Sequence, residues 1–213
     1  MTTTEPTLRP TDCDDHSPAP AGPNEGHLLV RRGLGRTTIT TDPALPGLYT
    51  ARFAGPSPRR SVHGGTVELT YPMMSVRRRR AADVLTLTGS IPWRIEVDGG
   101  VGELTADLSD VSLRSVEVHG GVSRTTLELP TPMGTLPVRL GSVDDVVIRR
   151  PAGVAVRVSV RRGARSLRVD DQALGAAGGP SVLATPGFAT ADHRIDISVD
   201  AARGLTVSTR PNG

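Results

Sequence analysis

An internal repeat of 21 residues constrains the fold of this chain more than any other feature. Small or aliphatic residues recur at that spacing in four columns. The columns are Val101, Val122, Val143, Ala164; Leu104, Thr125, Val146, Leu167; Ala106, Leu127, Ile148, Val169; and Ile95, Val116, Pro137, Val158. A fixed period of twenty-odd residues is typical of stacked-repeat architectures, in which each unit buries its apolar side chains against the next one.

Composition agrees with thin β-layers. Hydrophobic residues make up 37% of the 213 residues, but aromatic residues only 2%, so the core must be built from aliphatic side chains. Branched aliphatic residues suit pleated strands. No stretch of 11 residues keeps apolar positions at helical spacing, whereas alternation with period two is common from residue 28 onward. The sequence therefore predicts an all-β protein.

The spacing inside one repeat favours a parallel β-solenoid. Apolar positions step from Val101 to Leu104, then to Ala106 and Leu108, and the step of three predicts a bend at Gly102-Glu103. We therefore predict a single-domain parallel β-solenoid (β-helix) with about 21 residues per coil. The alternative is an antiparallel β-meander or sandwich, in which each Gly-Gly pair is a tight hairpin turn.

Composition shifts divide the chain into segments. A polar, Pro-rich stretch over 1–27 predicts a disordered tail. The solenoid domain is predicted over 28–210. It comprises an irregular part (28–91), regular coils (92–172), a Gly- and Pro-rich loop insertion (173–191) and a last coil (192–210).

Charged columns on the outside of the coils predict ladders of ion pairs. If coils stack about 4.8 Å apart, Glu103, Arg124 and Asp145 become neighbours of alternating sign. A second such column is Asp107, Glu128, Arg149 and Asp170, and a third places Asp98 beside His119.

Two sets of residues are candidates for special roles. Four successive arginines form a candidate anion-binding site, although a solvated loop that joins two strands is the preferred explanation: Arg77, Arg78, Arg79 and Arg80. Glycines are expected at the structural turns: Gly99, Gly100, Gly120, Gly121, Gly141 and Gly163. No catalytic, cofactor-binding or metal-binding residues are predicted, because the five histidines are scattered and no nucleophile, phosphate or dinucleotide motif is present.

Charge and targeting features point to a cytoplasmic protein. All 25 basic residues are arginine, yet the net charge is only +3, so nucleic acid is not an expected partner. The first residues have no basic start or apolar run, and no 18 successive apolar residues occur. We therefore expect no signal peptide, no transmembrane helix and a cytoplasmic location.

Several segments resemble a bacterial family of unknown function, the putative adhesins. The resemblance rests on Pro92-Trp93-Arg94-Ile95-Glu96-Val97, Val118-His119-Gly120-Gly121, Arg149-Arg150-Pro151-Ala152-Gly153-Val154 and Arg168-Val169-Asp170-Asp171-Gln172, and covers about residues 60–210. It implies a β-solenoid of actinobacterial type, with relatives among Gram-positive cell-envelope stress proteins and a fold similar to the bactofilins. It implies no catalytic residues.

The leading functional prediction is a non-enzymatic structural or scaffolding protein, linked to the cell envelope through this resemblance. It would act through protein–protein contacts or by self-assembly, as a homo-oligomer or a filament joined through the solenoid ends. One alternative is a carbohydrate-binding or carbohydrate-active β-helix. Another is a nucleic-acid or membrane-surface binder that uses Arg77 to Arg80.

Overall fold

The computed structural model describes residues 23–72 and 82–211, and every regular element in those ranges is a β-strand. The all-β prediction is therefore confirmed. The strands are β1 (Gly26–Arg31), β2 (Leu34–Asp42), β3 (Tyr49–Arg52), β4 (Arg59–His63), β5 (Thr66–Thr70), β6 (Ala82–Thr88), β7 (Trp93–Asp98), β8 (Val101–Asp107), β9 (Leu113–Val118), β10 (Val122–Glu128), β11 (Thr135–Arg150), β12 (Ala155–Val160), β13 (Leu167–Val169), β14 (Gln172–Leu174), β15 (Ser181–Ala184), β16 (Arg194–Ala202) and β17 (Leu205–Thr209).

The strands form one curled, mixed sheet with two limbs. Parallel pairing in the first limb runs β5, β1, β7, β9, the first half of β11, β16 and β12. In the second limb it runs β6, β2, β8, β10, the second half of β11, β17 and β13. Each coil supplies one strand to each limb, and the long strand β11 crosses from one limb to the other.

The repeat period is visible in the register of the central coils. Ile95 pairs with Val116 in the first limb, and Val101 pairs with Val122 in the second. The strands on the two sides of Gly99-Gly100 thus pair with the next coil in parallel. The antiparallel meander does not describe this part of the chain.

The structure departs from a simple parallel solenoid because chain order and stacking order differ. β1 lies between β5 and β7, although β5 follows it in the chain. At the other end, β16 lies between β11 and β12. Coil follows coil in sequence order only from β7 to β11. The repeat spacing compares copies in chain order. It therefore cannot show where β1 and β16 insert between other strands.

In all four predicted columns, the last coil separates the third copy from the fourth for this reason. Val143 and Val146 pair with Ala202 and Leu205 of the last coil, and not with Ala164 and Leu167. The latter pair with the last coil from its other side.

A third correction concerns Pro137. Val116 pairs with Val138, which is fully buried, whereas Pro137 is one position away from the expected column. The offset is 22 residues in the first limb and 21 in the second, because the third copy is one residue shorter before its turn.

Short antiparallel strands flank both ends of the parallel stack. β4 and β3 pair with β5 and β6 at one end, whereas β15 and β14 pair with β12 and β13 at the other. Near β3, the buried carboxylate of Asp83 accepts hydrogen bonds from the Tyr71 hydroxyl at 2.8 Å and the Ala54 nitrogen at 3.1 Å. Short flanking strands limit the edge available for pairing with another chain.

One hydrophobic core runs through the whole stack between the limbs. Its side chains are mostly valine, leucine and isoleucine, on alternating strand positions. Trp93 is fully buried at the start of the regular coils, and its indole nitrogen donates a hydrogen bond to the Thr88 carbonyl at 2.8 Å. It packs against Gly26, where a Cβ atom would lie 2.6 Å from the indole ring.

Segment boundaries differ slightly from the sequence-based ones. β1 begins at Gly26, inside the predicted tail, and residues 1–22 lie outside the described part of the chain. The predicted loop insertion contains β15 and most of β14, which form the antiparallel flank. In residues 23–72 and 82–211, no helix is long and apolar enough to cross a membrane.

Candidate functional site: the corner between the limbs

The predicted turn glycines stack at the corner where the two limbs meet. A Cβ atom on Gly120 would lie 2.5 Å from the nitrogen of Gly100, and closer still to the Gly99 carbonyl group. Gly141 approaches the Gly120 carbonyl in the same way, and a Cβ on Gly99 would lie 2.6 Å from the nitrogen of Gly33. These three glycines let successive backbones approach closely at the corner.

The remaining turn glycines are less crowded or lie elsewhere. A Cβ on Gly100 would lie 3.3 Å from the Gly121 carbonyl, and one on Gly121 would lie 3.8 Å from the Ser142 carbonyl. Gly163 has a φ of 123° and lies beside Ala177, in the coil that β12 and β13 form. The glycine positions thus serve different purposes, which their sequence spacing does not distinguish.

Beyond the glycines, each coil bends at one extra residue, as the step of three in the apolar pattern predicts. The ladder between β8 and β10 omits Gly102 and Glu103, and the ladder between β10 and β11 omits Arg124 and Asp145. Arg124 and Asp145 adopt φ values of 35° and 58°, in the left-handed region. Such a conformation costs a non-glycine residue about 1 kcal/mol or more.

The charged column at this bend forms as predicted over part of its length. The Glu103 carboxylate lies 2.9 Å from the Arg36 guanidinium on one side and 3.6 Å from that of Arg124 on the other. The Arg36 contact was not predicted, because β2 stacks against β8 from a distant part of the sequence. On the acidic side, Asp144 pairs with Arg203 at 3.4 Å.

A groove of about 600 Å³ follows the corner across β2, β8, β10 and β11. We call it the corner groove. Its lining combines small residues (four glycines and Ser123), the apolar residues Leu34 and Val101, and six charged residues. The charged residues are Arg32, Arg36, Glu103, Arg124, Asp144 and Asp145.

The second predicted charge column is confirmed at one pair. Arg149 donates a hydrogen bond to Glu128 at 2.8 Å, and Glu128 also lies 3.5 Å from Arg210. Asp170 instead pairs with Arg150, which is only 4% exposed. Strand alternation continues through Val146, Ile148 and Arg150, so Arg150 is on the buried side of β11 although its side chain is charged.

Most other charged residues on the limbs pair between neighbouring coils. Hydrogen bonds to Asp98 and Glu68 raise the pKa of the Arg31 guanidinium above its ordinary value. The paired contact of Arg157 with Asp196 raises its pKa in the same direction. These are partly exposed pairs, and each contributes little to folding stability.

Histidines take part in the same ladders. His27 and His119 lie on opposite sides of Glu96, at 3.3 and 3.4 Å. The predicted neighbour of His119, Asp98, instead contacts Arg31. His193 accepts a hydrogen bond from the Gly134 nitrogen at 3.1 Å. No group of three potential metal ligands occurs within residues 23–72 and 82–211.

The candidate anion site, Arg77 to Arg80, lies outside the described residues. The corner groove was not identified from the sequence as a site. Its sequence signals were the glycine pairs, the step of three and the charge column of Glu103, Arg124 and Asp145.

Comparison with known proteins supports the resemblance found in the sequence. Residues 60–138 match the profile described as the N-terminal domain of toast_rack, DUF2154. The fold is similar to the crystal structure of a putative cell adhesion protein from Clostridium sporogenes. That match has a TM-score of 0.61 and 17% sequence identity, and covers 90% of this chain and 96% of the other. No curated protein gives a significant match.

At this identity, the structural match establishes a shared fold. The profile match shows similarity to a domain of unknown function over residues 60–138. The bactofilin-like and actinobacterial details of the resemblance stay predictions.

Proposed function

We propose that this chain is a non-enzymatic structural protein linked to the cell envelope, and that it acts by binding other proteins. One observation carries the proposal: across 90% of the chain, the fold is similar to that of a putative cell adhesion protein. The toast_rack profile match over residues 60–138 supports the same class.

The form of assembly is part of the proposal. Filament growth through the ends of the stack would require free sheet edges. Short antiparallel strands flank both ends, and the outermost strand β4 carries the exposed charges of Arg59 and Arg60. These features support binding of a different protein over end-to-end self-assembly.

Light scattering after size-exclusion chromatography separates the two forms. We expect one monomeric species from low micromolar to millimolar concentration. Mass growth with concentration, or filaments in electron micrographs, would show that the flanking strands do not protect the ends and would favour self-assembly.

Partner binding is tested in cells with photo-cross-linking residues placed on exposed positions of each limb. Discrete cross-linked products with one protein support the proposal. If none of the tested positions gives a product, the proposal is contradicted. We also propose a cytoplasmic location, which fractionation with protease protection of intact cells tests directly.

Carbohydrate binding is the less favoured alternative. Trp93, Tyr49 and Tyr71 are all buried, so the sole tryptophan and both tyrosines are unavailable for stacking on a sugar. A glycan array that gave specific binding would reverse this preference.

A further inference from the structure

We propose that the corner groove binds an extended peptide segment of a partner protein, with an acidic residue at the arginine end and a basic residue about four positions away. This inference rests on the proposed function and names the surface and the partner chemistry for it. It is carried by the shape of the groove, its glycines, its charges and its backbone conformation.

The groove has the dimensions of a short extended peptide. It crosses four neighbouring strands, β2, β8, β10 and β11. Strands lie about 4.8 Å apart, so the groove is about 14 Å long, and an extended chain covers that length in about four residues. The peptide would lie across the strands, over the coil corners.

The small residues that line the groove include glycines that the fold does not require. A Cβ on Gly121 would find its nearest neighbour at 3.8 Å, and one on Gly102 at 3.4 Å, which are ordinary contact distances. Neither glycine has a left-handed φ. Side chains at these positions would fit the coil but would fill the groove, and their absence leaves backbone groups open to a ligand.

The groove is positively charged at one end and negatively charged at the other. At the β2 end, Arg36 contacts the carboxylate of Glu103 on β8, which it shares with Arg124 on the following strand β10. Arg32 is exposed there and has no ion-pair partner among the described residues. Guanidinium groups with spare donors bind carboxylates through paired hydrogen bonds.

At the β11 end, Asp144 and Asp145 line the groove. Arg203 pairs with Asp144, but both side chains are more than half exposed, so that pair is weak. A ligand of opposite polarity, with its acid toward β2 and its base toward β11, matches both ends of the groove.

Backbone strain is concentrated at the same place. Four non-glycine residues in the described ranges have a positive φ, and Arg32, Arg124 and Asp145 are three of them. Strained conformations held by the surrounding structure cluster at binding sites, where they fix the direction of a side chain. Here they fix two arginines and one aspartate around a single groove.

The test begins with a phage-displayed library of random peptides selected on the full chain. We expect enrichment of peptides with an acidic and a basic residue about four positions apart. The affinity of one enriched peptide is then measured by fluorescence anisotropy against the variants below. Polygalacturonate, an anionic polysaccharide, is measured alongside it as a non-peptide probe.

The variants remove the site without weakening the fold. Arg32→Gly and Arg124→Gly each delete a guanidinium and relieve a positive φ, so the thermal midpoint should stay constant or rise. Each should weaken peptide binding about tenfold, as the loss of a charge-assisted hydrogen bond predicts. Gly121→Leu should block the groove and abolish binding. Arg162→Ser, an exposed arginine outside the groove, is the matched control and should change affinity less than about twofold.

A charge-exchange experiment addresses the polarity. Replacing the acidic residue of the peptide with serine should weaken its binding to the native chain, but not further weaken its binding to Arg32→Gly/Arg124→Gly. Enriched peptides that bind every groove variant as well as the native chain would overturn this inference and leave the proposed function standing. Binding of polygalacturonate with no enriched peptide would overturn both.

Discussion

The stacked corner glycines give a sharp prediction about stability. Gly120→Ala adds a Cβ 2.5 Å from the backbone nitrogen of Gly100, whereas ordinary contacts begin near 3.4 Å. The obstacle is backbone of the neighbouring coil, so the two coils must separate by about 1 Å at the corner. Gly120 has no left-handed φ, and the effect is therefore steric.

The expected cost follows from what that separation disturbs. The Gly120 nitrogen donates to the Gly99 carbonyl at 3.1 Å, and the His119 nitrogen donates to the Val97 carbonyl at 3.0 Å. Weakening both bonds costs about 0.5–1.5 kcal/mol each, and overpacking adds about 1–3 kcal/mol. We expect Gly120→Ala to lower the free energy of unfolding by about 2–6 kcal/mol and Tm by about 4–24 °C.

Gly121→Ala is the matched control, because the two glycines are adjacent. Its Cβ would lie 3.8 Å from the nearest atom, so stability should change by less than about 0.5 kcal/mol or rise by up to about 1 kcal/mol. Urea unfolding of both variants, followed by circular dichroism, makes the comparison. Equal midpoints for Gly120→Ala and Gly121→Ala would refute the close approach of the coils at this corner.

Three further predictions concern the core and the ion pairs. Gly26→Ala should displace Trp93, the only tryptophan, and lower the free energy of unfolding by about 1–3 kcal/mol. The fluorescence maximum of Trp93 should shift to the red. An unshifted spectrum with native stability would contradict the contact between Gly26 and Trp93. Asp170→Asn should lower stability by about 1–3 kcal/mol in urea unfolding, since it leaves the buried Arg150 without its counter-charge; a change below about 0.5 kcal/mol would show that the pair is solvated. Folding raises the pKa of Arg31 and of Arg157, so the stability that each ion pair contributes is fully present at every pH below the arginine's ordinary pKa. It is lost only when the pH rises through the higher pKa of the folded state, so these pairs should cause no loss of stability between about pH 6 and 9. Thermal melts of Arg31→Gln and Arg157→Gln across that range should run parallel to the native curve, and a divergence would contradict the assignment.

The edges of the sheet connect the fold to the proposed function. Strands β3, β4, β14 and β15 are short and antiparallel, and they interrupt the parallel stack at both ends. Natural sheets use such strands to discourage pairing with other chains. Val182 in β15 is 61% exposed and is the clearest apolar position on either flank. The regular faces and the corner groove, and not the ends, are therefore the surfaces that we expect to meet a partner.

The sequence alone predicted the parts of the site that depend on local spacing. The step from Val101 to Leu104 predicted the bend, and the 21-residue interval predicted the neighbours Glu103 and Arg124. It could not predict that Arg36 reaches Glu103, because that contact joins strands 67 positions apart. The groove is formed by neighbours within the repeat and by this contact between distant strands. Because the sequence showed only the first of these, it did not reveal the groove.

What the sequence determined is the β-class, the aliphatic core and the register of the central coils, apart from the shift of one residue at Pro137. Each follows from which residue types recur at which interval, and neighbouring copies in the chain are also neighbours in space between β7 and β11. The tertiary structure decided where the first and last coils lie. β1 lies between two strands that come later in the chain, and β16 lies between two that come earlier. Both positions are possible because the sheet buries the same apolar columns whatever the order in which the chain supplies them.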